Sequence, residues 1–128
     1  MKYKELQLKY EEKKKYYKRV IELLYWLDEI NLTSVQLEIL SSAIIVYQKH
    51  GENDELFLGT FRKKIRELSL GRNDKPLNEG SLATALKIMR EQNILPEKGL
   101  PRHLLFLAED KENQFYLPVK IEKVNVGA

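Results

Sequence analysis

The chain has 128 residues, of which 43% are hydrophobic and 32% charged, a composition typical of one globular domain rather than of a disordered segment. It contains no cysteine, which excludes disulfides, thiolate metal sites and cysteine nucleophiles and favours a reducing compartment. Apolar stretches such as residues 23–27 and 43–47 are far shorter than a membrane span, and no signal-peptide pattern follows Met1. We therefore expect a protein that is cytosolic or is assembled in the cytosol.

The net charge of +3 is distributed unevenly along the chain. Residues 1–20 carry eight basic and three acidic side chains, whereas residues 21–59 carry one basic and seven acidic ones. Residues 60–105 are basic again, and the remaining residues are nearly balanced. Such blocks indicate a phosphate-binding face, or self-association in which a basic block of one copy meets an acidic block of the next; the alternative is solvated helix faces.

A long helix is predicted over about the first thirty residues. Its apolar residues recur at steps of three and four, interrupted only by Lys13, and it contains neither Gly nor Pro. Residues 20–27 are apolar almost all round and should be buried, while the N-terminal half should project. We predict a docking or oligomerisation arm at 1–32, ahead of a domain at 33–128. The candidate protein-interface residues of this arm are Tyr3, Leu6, Tyr10, Tyr16 and Tyr17.

Three shorter helices are predicted next. Thr33 and Gln36 have the spacing of a capping box for a helix that Gly51 ends. A third helix should run over about 60–70. A fourth should begin at Ser81, after an exposed ten-residue loop rich in turn formers.

Two strands are predicted at the C-terminal end. Residues 103–108 and 114–122 alternate around a polar turn at 110–113, which indicates a β-hairpin. Pro118 lacks a backbone donor, so the second strand should be an edge or carry a bulge. The predicted fold class is mainly α with a small C-terminal β-hairpin.

No catalytic or metal-binding constellation is visible in the sequence. His50 and His103 have no second imidazole at ligand spacing, and the loop between Gly71 and Gly80 lacks the glycine spacing of a phosphate-binding loop. A Ser/His/Asp triad is left open, but no strand-turn-helix context for a nucleophile is apparent. We expect a non-enzymatic protein with no cofactor, no metal and no membrane partner.

The segments LTSVQLEIL, FRKKIREL and SLATALKIMREQNIL, followed by the predicted hairpin, resemble winged helix-turn-helix domains, and more specifically small proteins of tailed bacteriophages. The resemblance covers about two-thirds of the chain and implies a winged-helix-like core behind the long helix. It implies that Thr84, Lys87 and Arg90 face a DNA groove and that Lys111 lies at the wing tip. Further basic residues are candidates for phosphate contacts: Arg62, Lys63, Lys64, Arg66, Arg72 and Lys75.

Three features depart from that pattern. The ten-residue loop before Ser81 is longer than the turn of a helix-turn-helix, Glu79 precedes the helix end that should approach phosphates, and the turn at 110–113 is more acidic than basic. We therefore expect first a structural or assembly protein, a tailed-phage virion component of the head, connector or tail, which binds copies of itself or other virion proteins. Its location would be the virion or the host cytoplasm. The alternative is a winged-helix transcriptional regulator that binds double-stranded DNA.

Overall fold

The computed structural model describes the backbone of residues 2–109 and the side chains of residues 12–109. Within this range the chain forms helices and no strand, with one isolated bridge between Leu70 and Pro76. The predicted order of the first four helices is confirmed. The helices are α1 (Lys2–Leu27), α2 (Ser34–His50), α3 (Gly59–Leu68), α4 (Glu79–Glu91) and α5 (Arg102–Ala108).

The prediction of a C-terminal β-hairpin and a winged-helix core is wrong. Residues 103–108, predicted as the first strand, lie in α5, which follows Pro101. Leu104, Leu107 and Ala108 are buried at the spacing of one helix face and belong to the core around α2. The described residues therefore contain no winged-helix sheet, and the second predicted strand lies outside them.

α2 is the central helix of the fold. All of its residues from 36 to 46 are buried, and it contacts each of the other four helices. The core also includes α1 from Tyr17 to Tyr25, so the predicted boundary at residue 32 falls in the short connection between two helices that share one core. Each of the other described helices buries one side against α2.

The helix ends follow from local hydrogen bonding. Thr33 Oγ1 accepts a hydrogen bond from Gln36 N at 3.1 Å, and Gln36 Oε1 accepts one from Thr33 N at 2.9 Å, which confirms the predicted capping box. Gly51 ends α2 in the left-handed conformation, as predicted. α4 begins earlier than predicted, because its cap is Asn78, whose Oδ1 accepts from Ser81 N at 2.7 Å.

Glu38 connects α1 to the end of α3. Its carboxylate oxygens lie 2.6 Å from Lys14 Nζ and from Lys18 Nζ, and one of them accepts a hydrogen bond from Leu70 N at 2.9 Å. Lys14 also donates to Leu68 O. Burial alone would raise the pKa of Glu38, but the hydrogen bonds from the two lysines and Leu70 lower it below its ordinary value. The acidic block of the sequence thus neutralises part of the basic block within one molecule.

Candidate protein-docking surface

Two arginines predicted to contact phosphate are bound within the molecule. Arg62 donates from Nε to Glu79 Oε2 at 2.8 Å and from Nη1 to Phe57 O at 3.1 Å. Arg66 Nε lies 3.9 Å from Glu79 Oε1. The hydrogen bond from Arg62, together with both positive charges, lowers the pKa of Glu79. Glu79, the first residue of α4, therefore ties α4 to α3 through hydrogen bonds from Arg62 and forms a longer ion pair with Arg66.

Six of the other predicted DNA-binding residues are exposed, and they are spread over two helices and a loop. Arg90 is half-buried, and its Nε is buried without a hydrogen-bond partner among the described residues. Lys111 lies outside the described residues, so its predicted place at a wing tip stays a prediction. The exposed residues are Lys63 and Lys64 on α3, Arg72 and Lys75 in the α3–α4 loop, and Thr84 and Lys87 on α4.

The predicted protein-interface tyrosines of α1 that the structure describes pack within the domain. Tyr17 is fully buried, and its hydroxyl accepts a hydrogen bond from Gln48 Nε2 at 2.6 Å. Tyr16 is half-buried against the same core, and the two tyrosine rings meet edge to face with centroids 5.4 Å apart. The side chains of Tyr3, Leu6 and Tyr10 lie outside the described residues.

An open groove of about 680 Å³ lies between the N-terminal end of α2 and one side of α4. None of the described residues that line it is charged, although 32% of the chain is. Gln36 Nε2 donates to Gln92 Oε1 at 3.1 Å between the two helices, so these amides satisfy each other. The apolar lining residues are Val35, Ala85 and Ile88, and Ile88 is 41% exposed. Depletion of charge at the centre of a surface patch is typical of protein interfaces.

A second hollow of about 270 Å³ lies between the C-terminal part of α1 and the α1–α2 connection. Leu23 and Trp26 of α1 line it together with Ile30 and Leu32 of the connection. Leu32 directly precedes Thr33 of the groove, so residues of the α1–α2 connection line both hollows. Trp26, the only tryptophan of the chain, is 60% exposed, and tryptophan is enriched among residues that dominate binding energy.

We define the docking surface as the apolar residues of these two hollows. Exposed acidic side chains occur at neighbouring positions, since Glu22 lines the second hollow, Asp28 and Glu29 precede Ile30, and Glu91 follows Ile88 by one helical turn. The members of the docking surface are Leu23, Trp26, Ile30, Leu32, Val35, Ala85 and Ile88.

One residue of the docking surface, Ile88, was visible in the sequence as an apolar residue outside the core stripe of its helix, but helical periodicity alone did not assign it to a surface. The core side of α4 consists of Leu82, Leu86 and Met89, and Ile88 falls outside that stripe. An apolar residue off the core stripe of an amphipathic helix indicates a contact surface where it forms a patch with other exposed apolar residues. Val35, which lines the same groove, comes from another helix, so only the fold brings the two residues to one surface.

No family model, no curated protein and no solved structure matches the chain. None of the described helices is long and apolar enough to cross a membrane. Among the described residues there is no group of three or more His, Cys, Asp or Glu side chains placed to hold a metal ion.

Proposed function

We propose that the chain is a non-enzymatic structural protein that binds neighbouring protein subunits in an assembly through the docking surface. The observation that carries this proposal is the uncharged groove, together with the exposed Trp26 of the second hollow. Apolar and uncharged polar groups are less costly to remove from water than charges, so such a surface suits a polypeptide partner. A tailed-phage virion is the assembly that the sequence resemblance suggests.

The docking surface would contribute to the free energy of binding through apolar side chains that are exposed in the folded monomer. Trp26 and Ile88 together leave apolar area exposed that a partner would bury at about 25 cal/mol per Å². Burial of a few such residues at the centre of a contact supplies most of the affinity of a typical interface, while the surrounding polar residues exclude water. Substitutions at these two positions should therefore alter binding more than folding.

DNA binding would depend on the exposed basic residues of α3, α4 and their connecting loop. Because Arg62 and Arg66 are bound to Glu79, they are less available to release counterions from phosphates. The helix-turn-helix interpretation also lacks its wing within the described residues. These observations favour a protein partner over a nucleic-acid partner.

Site-specific photo-cross-linking in the cells that produce the protein tests the proposal. A benzophenone amino acid is placed at position 26 or 88, and at position 58 as a matched control, because Leu58 is 58% exposed but lines neither hollow. Protein adducts are expected at positions 26 and 88 and not at 58. If probes at 63 and 64 on α3 yield nucleic-acid adducts while 26 and 88 yield no protein adduct, the proposal is wrong.

A further inference from the structure

We infer that the groove between α2 and α4 binds residues 2–10 of α1 from a second copy of this chain. The inference rests on the proposed function and specifies its partner.

The N-terminal segment has the pattern of a helix that binds in a groove. Residues 2–10 are helical, and Tyr3, Leu6 and Tyr10 follow one another at steps of three and four, which places them on one helix face. Apolar anchors at this spacing are the usual means by which a helix binds an apolar groove. Among the described side chains, α1 packs within its own domain through Lys14 and residues from Tyr16 onward, which lie further along the helix.

The charges of the two surfaces are complementary. Residues 2–10 carry three lysines and one glutamate, so the segment is basic. The exposed charges next to the second hollow are mainly acidic: Glu22, Asp28 and Glu29, against Arg19. Beside the groove, exposed Glu91 is accompanied by exposed Lys87. Opposite charges around an apolar contact steer the two surfaces together and fix their register.

The length of α1 requires that the segment come from another molecule. Trp26, near the C-terminal end of α1, belongs to the docking surface, while residue 10 lies sixteen residues earlier in the same helix. At 1.5 Å per residue the separation is about 24 Å, and an uninterrupted helix cannot fold back on its own end. The contact is therefore head to tail, with the arm of one copy in the groove of the next, and it can continue into a ring or a filament.

Sedimentation velocity of the full chain, measured over roughly a thousandfold range of concentration, tests the inference. Leu6→Asp disables the arm, Ile88→Asp disables the groove, and Leu58→Asp is the matched control on an exposed apolar residue outside the docking surface. The wild type and Leu58→Asp should associate beyond dimers as concentration rises. Each of the other two variants should associate at least about tenfold more weakly.

A mixture of Leu6→Asp and Ile88→Asp provides the most specific test of the head-to-tail contact. The intact arm of Ile88→Asp should bind the intact groove of Leu6→Asp, which gives a one-to-one heterodimer that cannot grow further. Thr84→Arg, at an exposed polar residue of the groove, should behave like Ile88→Asp without disturbing the core. Circular dichroism and urea midpoints should show that every variant is folded.

A wild-type chain that stays monomeric, variants that associate as strongly as the wild type, or a mixture that grows beyond a heterodimer would each overturn the inference. Cross-links from positions 26 and 88 to a different protein, with a monomeric purified chain, would contradict this partner while supporting the proposed function. Absence of both association and protein cross-links would contradict the two together.

Discussion

At the scale of single residues, Glu38 holds the middle of α1 against the end of α3. Its carboxylate is the shared partner of Lys14 and Lys18, and Leu70 N donates to it as well. Glu38→Gln keeps the size of the side chain but leaves the two lysines without their counter-charge. We expect the variant to lose about 2 kcal/mol of unfolding free energy at pH 7, below the loss for a fully buried pair because the Lys18 side chain is 36% exposed. Urea unfolding measures the difference.

The ionised carboxylate of Glu38 also makes the unfolding free energy depend on pH. Because the pKa of Glu38 in the folded protein lies below its ordinary value of 4.5, folding favours the ionised carboxylate. Its contribution is complete above that ordinary value and is lost as the pH falls through the lower folded pKa. The wild type and Glu38→Gln should therefore converge in stability under acid conditions. A gap that persists undiminished at low pH would contradict this account, and Glu67→Gln, at an exposed residue of α3, is the control.

Substitution to alanine should change the unfolding free energy differently at two neighbouring serines in the centre of α2. Ser41 and Ser42 are both fully buried, but Ser41 Oγ donates to Leu37 O at 2.8 Å, whereas Ser42 Oγ has no hydrogen-bond partner among the described residues. Ser42→Ala removes a buried unsatisfied hydroxyl and should raise the unfolding free energy by about 1 kcal/mol. Ser41→Ala should leave it unchanged or lower it slightly. Thermal unfolding of both variants measures the two changes in unfolding free energy, and an equal or lower value for Ser42→Ala than for Ser41→Ala would contradict this account.

At the scale of elements, Gly99 joins the loop after α2 to the connection that leads into α5. Gly99 and Gly51 have similar positive φ values, 64° and 70°, but a Cβ at Gly51 would meet open space and one at Gly99 would overlap Asn53. Asn53 Oδ1 also accepts a hydrogen bond from Leu100 N at 2.9 Å, which holds the two segments together. Gly51→Ala and Gly99→Ala therefore form a matched pair, with similar backbone strain but different space for the new Cβ.

We expect Gly51→Ala to cost about 1 kcal/mol, the ordinary penalty of a left-handed non-glycine residue. Gly99→Ala should cost at least about 2 kcal/mol more, because the overlap with Asn53 adds to the same backbone strain. Chemical denaturation of both variants measures the difference. Equal losses would show that the contact with Asn53 does not hold the loop in place.

Elements with local start and stop signals could be predicted from the sequence, and elements that depend on tertiary contacts could not. Thr33, Gln36 and Gly51 fix the ends of α2 through hydrogen bonds between close neighbours, so their spacing is readable in the chain. Residues 104–108 are all apolar, a run too short and uniform to separate a strand from a helix by periodicity. Packing against α2 selects the helix, and Pro101 immediately before it was the available sign of a helix start.

At the scale of the whole molecule, the charge blocks have a different meaning from the one that the sequence alone indicated. Part of the basic N-terminal block is neutralised by Glu38 of the same molecule, and two basic residues of the third block are bound to Glu79. What remains for partners is an uncharged groove, a second hollow with acidic neighbours, and a basic arm. The site was not predictable because α4 is distant in sequence from the ends of α1 and α2, and the core decides which apolar residues stay outside.

The salt dependence of binding distinguishes self-association through the docking surface from DNA binding. Head-to-tail association should weaken by less than about tenfold between 0.1 and 0.5 M NaCl, since the apolar groove carries the affinity and exposed charge pairs contribute only a little each. DNA binding through the five exposed cations Lys63, Lys64, Arg72, Lys75 and Lys87 would weaken by roughly a thousandfold over the same range, because each phosphate contact releases counterions. Sedimentation of the chain alone and fluorescence anisotropy with a labelled duplex measure the two responses. A steep salt response in self-association would mean that charge, and not the docking surface, holds the copies together.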